Sequence, residues 1–83
     1  MNNDDARALI RTVLGEVAPE ADLDDVGTDE TIQEALDLDS IDFLNFVTGL
    51  HERTGLEIPE RDYPELSTVD GCIRYLVAGV ESG

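Results

Sequence analysis

Apolar residues recur every three or four positions in three stretches of the chain, a spacing that predicts amphipathic helices. We expect the first helix over about residues 4–17, the second over about 40–54 and the third over about 68–80. Pro19 and Gly55 follow the first two stretches and favour a helix end at each place. The Ser67-Thr68 pair offers an N-cap for the last helix.

Two connections of unequal length join these helices. The first, over about residues 18–39, is rich in Asp, Glu and Gly and allows one short helical turn between Thr31 and Leu36. The second contains an extended segment, Leu56 to Pro59, and a short helix over about residues 60–64, which we expect Pro64 to end. The pattern therefore predicts one all-α domain over residues 1–83: a small four-helix bundle, with three main helices, one short helix and a long first loop.

The second helix has two distinct faces when its residues are placed at ~100° intervals. The face expected to meet the core carries Phe43, Phe46, Val47 and Leu50. The opposite face carries Ile41, Asn45, Thr48 and Glu52. Leu44 lies between the two faces, nearer the exposed one.

An exposed apolar pair beside a helix start is a candidate docking surface. Ile41 and Leu44 have the carboxylates of Asp39 and Asp42 as neighbours, and apolar residues ringed by charge are typical of protein interfaces. The alternative is that both are scattered exposed residues without a role, which are common on protein surfaces.

The charge of the chain restricts its partners. Twenty Asp and Glu against five Lys and Arg give a formal net charge of −15. Such a chain should repel nucleic acids and anionic membranes and favour proteins with basic patches, although acidic charge can also serve solubility alone. No apolar run reaches transmembrane length and the first residues do not resemble a signal peptide. We therefore expect a cytoplasmic monomer without stable membrane insertion.

Catalytic and metal-binding functions find little support. A chain of 83 residues has little room for both a core and a deep substrate pocket, so we expect no enzyme. Ser40 and His51 are ~16 Å apart along the second helix, too far for a nucleophile and its general base.

A calcium loop starting at Asp37 would lack the glycine and the glutamate that such loops need. One Cys and one His exclude a Cys/His metal centre, and Cys72 lies on the apolar stripe of the last helix as a buried thiol.

The start of the second helix allows two interpretations. Asp39 or Ser40 can serve as its N-cap, and spacing alone favours this ordinary role for Ser40. A helix start also offers free backbone N–H groups and a dipole that favour a phosphate group. Ser40 is therefore also a candidate site of covalent modification, from which a flexible arm would project away from the core.

A family resemblance bears on this choice. The sequence Asp39-Ser40-Ile41-Asp42 resembles the Asp-Ser-Leu modification motif of acyl carrier proteins, and from Ser40 onward the chain is similar to that family without an apparent gap. Three later segments match in order: Leu56-Glu57-Ile58-Pro59, Ser67-Thr68-Val69 and Ile73-Arg74-Tyr75-Leu76.

The resemblance implies a non-catalytic carrier and a role for each matching residue. Ser40 would take 4′-phosphopantetheine from coenzyme A, and Asp39 would be read by the phosphopantetheinyl transferase. Acyl-transferring or ketosynthase-type enzymes with basic docking patches would be the further partners. The docking residues implied are Ile41, Asp42, Leu44, Asn45, Thr48 and Glu52. The residues implied to enclose short acyl chains in the interior are Phe46, Val47, Leu50, Ile58 and Leu66.

Several positions depart from the family pattern. Ile41 stands where the family usually has Leu, and Asp37 stands where Gly is frequent. Asn45 and His51 occupy positions where carriers of fatty-acid synthesis often have carboxylates. These departures favour a specialised carrier, in a polyketide or modified-lipid pathway, over a carrier of primary fatty-acid synthesis.

Two alternative functions remain at this point. One is an acidic protein-interaction module without a prosthetic group, in which Ser40 is only a helix cap. The other is an aminoacyl or peptidyl carrier for nonribosomal synthesis, although such carriers favour Gly-rich surroundings at the serine and the preceding residues here are acidic.

Overall fold

The computed structural model describes residues 1–27 and 29–82. It contains four α-helices: α1 (Asn3–Val17), α2 (Ile32–Ala35), α3 (Ser40–Thr54) and α4 (Val69–Ser82). Two 3₁₀ segments, Leu23–Asp25 and Glu60–Leu66, lie in the connections. One isolated antiparallel bridge, Thr31 to Thr68, is the β-structure within the described ranges. The all-α bundle expected from the hydrophobic pattern is confirmed.

The core is built by three long helices and is apolar throughout the described residues. Helix α1 packs against α3 and α4, and α4 packs against the Glu60–Leu66 segment. The largest side chains that are fully buried include Phe46, Ile10, Leu14, Leu50 and Leu76. Phe43 faces the core as the sequence predicts, but it is only half-buried. Its ring packs on the edge of the core, 6.2 Å from the ring centroid of Phe46.

The long first connection is anchored rather than loose. Leu23, Val26 and Ile32 are buried in the core. Burial of these apolar side chains is favourable and holds the otherwise acidic connection against the helices. The amide of Ile32 donates a 2.7 Å hydrogen bond to the carbonyl of Ser67, which ties the connection to the start of α4. The connection also contains α2, a single helical turn in the stretch where the sequence allowed one.

The second connection differs from its prediction at Pro64. The short helix is of the 3₁₀ type and continues to Leu66, with Pro64 inside it. Proline removes a backbone donor, but a short 3₁₀ segment depends on fewer such bonds than an α-helix does. The carbonyl of Pro64 accepts two hydrogen bonds from Ser67, one from the amide (3.3 Å) and one from the hydroxyl (2.7 Å). These bonds hold the end of the segment. The segment therefore ends at a buried anchor, Leu66.

Candidate functional site

Ser40 is the first residue of α3, and its side chain is not the helix cap. Asp39 has an extended backbone (φ −83, ψ 179), and its carboxylate accepts a 2.8 Å hydrogen bond from the amide of Asp42. This is the geometry of an N-cap. Of the two candidates for the cap of this helix, Asp39 and Ser40, the structure shows Asp39 in that role. Ser40 is exposed, and in the part of the chain that the structure describes its hydroxyl makes no hydrogen bond.

A sharp turn before α3 presents Ser40 to solvent. Asp37 has φ 53, in the left-handed region that non-glycine residues rarely adopt. Leu38 then turns inward and is buried, with its amide bonded to the carbonyl of Gln33 at 2.9 Å. The inward Leu38 and the capped Asp39 fix where α3 begins, and Ser40 follows on the outer side.

The exposed face of α3 agrees with the wheel pattern. Ile41 and Leu44 are 68% and 48% exposed, and they are the exposed large hydrophobic residues of the described chain. Asn45, Thr48 and Glu52 are exposed as well. These side chains are accessible to a partner, while their role in docking stays a prediction.

Asp42 is less exposed than the other predicted docking residues. It is half-buried and lines a depression on the side of α3 that faces the long connection. The carboxylates of Asp22, Asp25 and Asp37 line the same depression. We call it the acidic depression. Its lining indicates a strongly negative potential beside the start of α3.

A second surface feature follows the other side of α3. One depression of about 390 Å³ is lined by Ser40, Phe43, Leu44, Glu60 and Tyr63. The next, of about 650 Å³, shares Tyr63 and continues between α3 and residues 57–63. Its α3 side is formed by Val47, Thr48 and His51. We call the two together the α3 furrow.

Aromatic contacts form the floor of the furrow near Ser40. The rings of Phe43 and Tyr63 meet edge to face, with centroids 6.1 Å apart. Such contacts are favourable beyond their buried area. They hold the Glu60–Leu66 segment against the start of α3.

The residues predicted to enclose an acyl chain belong to the core or pack against it. Phe46, Leu50 and Leu66 are 0% exposed, and Val47 is 3% exposed. Ile58 is half-buried and lines the furrow together with Val47. The structure thus brings the five residues to one region, with only Val47 and Ile58 at an open surface.

His51 makes a contact that the sequence analysis missed. Its ring is exposed, and Nδ1 lies 2.6 Å from the carbonyl oxygen of Leu56. A carbonyl oxygen only accepts, so Nδ1 is the donor in this contact. His51 therefore holds the turn after α3, and it also lines the furrow. The sequence signal for this contact is weak: His51 and Leu56 are five residues apart, with the helix-ending Gly55 between them.

Neither a reactive thiol nor a metal cluster is found among the described residues. Cys72 is fully buried, and burial raises the pKa of its thiol to about 12. This confirms the expectation of a structural thiol. Within residues 1–27 and 29–82, no three His, Cys, Asp or Glu side chains are grouped so that they could hold a metal ion. No helix in these ranges is long and apolar enough to cross a membrane.

Comparison with known proteins points to one family. A family model described as "Phosphopantetheine attachment site" matches residues 4–76. The acyl carrier protein of Chlamydia trachomatis serovar D is 38% identical over 73 residues, which cover 88% of this chain and 88% of that protein. The acyl carrier protein of Lactobacillus johnsonii is 40% identical over 55 residues (66% and 69%). That of Renibacterium salmoninarum is 29% identical over 80 residues (93% and 94%).

Proposed function

We propose that this chain, which belongs to the acyl carrier protein family and shares its covalently attached 4′-phosphopantetheine cofactor, bears that group on Ser40 and presents acyl groups to partner enzymes. When bound, the group supplies a terminal thiol that holds an acyl group as a thioester. The chain itself holds the arm in an accessible place and docks each enzyme, and no catalytic step falls to its own side chains.

The free hydroxyl of Ser40 is the observation that carries this proposal. Since Asp39 caps α3, the ordinary structural role of a serine at a helix start is already filled. The remaining Ser40 hydroxyl is exposed and can attack a phosphorus atom of coenzyme A. In that step its oxygen gains the phosphodiester bond, the hydroxyl proton is lost, and adenosine 3′,5′-bisphosphate leaves.

The surroundings of Ser40 fit a phosphate-linked arm. The position lies in the first turn of a fifteen-residue helix, where the dipole favours an anion, while the amide of Asp42 is already bonded to Asp39. No described side chain covers it, and the α3 furrow opens beside it. The site can therefore hold the phosphodiester without rearrangement of the helix.

The docking surface proposed for partner enzymes is the exposed face of α3 together with the half-buried Asp42 of the acidic depression. Ile41 and Leu44 would enter apolar depressions on a partner, and Asp42 and Glu52 would meet its basic side chains. Members of this family interact with phosphopantetheinyl transferases and with acyl-handling enzymes. The proposed setting is the cytoplasm, the proposed oligomeric state is a monomer, and the proposed pathway is a polyketide or specialised lipid pathway.

The test is the intact mass of the purified chain after incubation with coenzyme A and a broad-specificity phosphopantetheinyl transferase. We expect the parent to gain the mass of one phosphopantetheine and Ser40→Ala to gain none. Ser67→Ala is the matched control, because its hydroxyl bonds within the fold at 2.7 Å from the Pro64 carbonyl. That variant should still be modified at Ser40.

Either of two results would overturn the proposal. Modification of Ser40→Ala would place the arm on another residue. A folded parent that gains no mass would favour an acidic protein-interaction module, and the search would turn to a basic protein partner.

A further inference from the structure

A further cleft lies between α4 and the connection that precedes it. It has a volume of about 570 Å³ and is lined on one side by α4 and on the other by residues 56–57 and 64–65. None of its lining residues belongs to α3, so it is separate from Ser40 and from the exposed face of α3. Glu57 is the residue that it shares with the α3 furrow. We call it the α4 cleft.

Two close contacts with glycine bound the α4 cleft. A Cβ at Gly71 would lie 2.5 Å from the carbonyl oxygen of Glu65, and a Cβ at Gly79 would lie 2.8 Å from Cδ1 of Leu56. The two glycines are ~12 Å apart along the helix axis, from a rise of about 1.5 Å per residue. The connection therefore rests on α4 at two places, and the cleft is long enough to receive an extended arginine side chain.

The lining of the cleft is largely apolar and is held in place. Leu56, Pro64, Tyr75 and Ala78 contribute to it. The Tyr75 hydroxyl donates a 2.8 Å hydrogen bond to the carboxylate of Asp62, which fixes the position of the ring. Such a surface suits the methylene stem of a long basic side chain, because the stem packs on apolar groups while the charged end stays in water.

Exposed carboxylates give the cleft a negative charge. Glu57 and Glu65 are exposed and line it, and in residues 1–27 and 29–82 neither has a basic side chain within ion-pair distance. The cation in the lining, Arg74, lies 3.2 Å from the Asp70 carboxylate, which offsets its charge. The net charge of the chain has the same negative sign, so a cationic group complements both the cleft and its surroundings.

We propose that the α4 cleft is a docking site for a basic segment of a partner protein, which inserts an arginine side chain between α4 and the preceding connection. The stem of that arginine packs on Leu56, Pro64 and Tyr75, and its guanidinium meets the carboxylates of Glu57 and Glu65. Arginine fits better than lysine, because its planar guanidinium can donate to several carboxylate oxygens at once.

Docking at this cleft is distinct from the docking proposed for the exposed face of α3. The cleft contains neither Ser40 nor the exposed pair Ile41 and Leu44. A partner anchored in the cleft therefore leaves Ser40 open to a second enzyme. The cleft belongs to the unloaded chain, so the inference does not rest on the proposed attachment to Ser40.

The test is a titration of the ¹⁵N-labelled, unloaded chain with a synthetic hexapeptide in which leucine and arginine alternate. NaCl at about 0.15 M screens long-range attraction to the acidic surface. We expect the amide signals of Gly71 and Gly79 to shift most. Largest shifts at Asp22, in the acidic depression, or at Leu44, on α3, would overturn the proposal. The same peptide with glutamine in place of arginine is the control, and equal binding of that peptide would overturn the assignment of a basic partner.

Two double variants separate the charge of the cleft from the charge of the whole chain. Glu57→Gln with Glu65→Gln should weaken binding of the arginine peptide by about tenfold, because charge-assisted hydrogen bonds are lost. Glu34→Gln with Glu81→Gln makes the same change of net charge at exposed positions outside the cleft and should have little effect. Equal weakening in both double variants would mean that only the overall charge attracts the peptide, which would overturn the site.

A substitution that occupies the cleft gives an independent test. Ala78→Arg places a basic side chain of this chain at the proposed site and should abolish the peptide-induced shifts at Gly71. Ala8→Arg makes the same change at an exposed position of α1 and should leave those shifts in place, as should Ser40→Ala. Unchanged shifts in Ala78→Arg, or their loss in Ser40→Ala, would overturn the proposal.

Discussion

At the scale of single residues, backbone conformation at Asp37 sets the position of the candidate site. Its positive φ of 53 turns the chain so that Leu38 is buried and Ser40 is exposed. Asp tolerates this region better than most residues, but glycine adopts it without steric cost. Glycine would therefore fit position 37 without strain, which the hydrophobic pattern of the sequence did not reveal.

Two substitutions at Asp37 test whether its left-handed backbone conformation costs stability. Asp37→Gly and Asp37→Ala remove the same carboxylate, but only Ala keeps a Cβ that opposes the left-handed conformation. We expect the Ala variant to be less stable than the Gly variant by about 1 kcal/mol, measured by urea unfolding. Equal stabilities would mean that the turn relaxes out of the left-handed region at little cost.

At the scale of the elements, close approach between helices explains a glycine that propensity disfavours. Gly49 lies inside α3, where a glycine costs up to about 1 kcal/mol relative to alanine. A Cβ at this position would lie 2.6 Å from Cγ1 of Val13, which is buried in α1. The glycine therefore lets α1 and α3 pack closely, and this benefit depends on a residue far away in the chain.

Two alanine substitutions separate packing from propensity. Gly15→Ala, at an exposed position of α1 with nothing within 4 Å of the added Cβ, should stabilise the fold by up to about 1 kcal/mol. Gly49→Ala should instead destabilise it by about 1 kcal/mol or more, because overpacking outweighs propensity. Thermal unfolding of both variants against the parent gives the comparison. A gain in stability for Gly49→Ala would show that Val13 moves aside freely.

At the scale of the whole molecule, negative charge is spread over a small surface. The net charge is −15 on a fold with a radius of gyration of 11.4 Å. Among the described residues four arginines make ion pairs: Arg7 and Arg11 with Asp24, Arg53 with Glu16, and Arg74 with Asp70. The hydrogen bond from Arg7, with the charge of Arg11, lowers the pKa of Asp24. Such exposed pairs offset little of the repulsion, so the compact state is opposed by its own charge.

Salt should therefore stabilise this protein. Raising NaCl from about 0.02 M to 0.2 M shortens the screening length, and we expect Tm to rise by a few degrees, since about 1 kcal/mol corresponds to 4–8 °C for a domain of this size. Choline chloride at equal concentration is the control and should give a similar rise if screening is the cause. A fall in Tm with NaCl would mean that the ion pairs outweigh the repulsion.

The sequence by itself determined the local features of this protein: its long helices, the end of α3, the exposed residues of α3 and the motif around Ser40. Helical periodicity predicted α1, α3 and α4, because a 3.6-residue repeat of apolar positions needs no knowledge of distant residues. The αL glycine after α3, Gly55 with φ 73, and the exposure of Ile41 and Leu44 follow from the same local rules. The motif around Ser40 was also readable, since capping and modification motifs are short.

Tertiary structure alone decided how distant segments meet. The α3 furrow exists because residues 57–63 fold back along α3, and the tight approach of Gly49 to Val13 joins two helices. The same holds for Phe43, whose partial burial depends on its contact with Tyr63. Each feature depends on contacts between residues far apart in sequence, where close packing selects one arrangement from many that the same local pattern would allow.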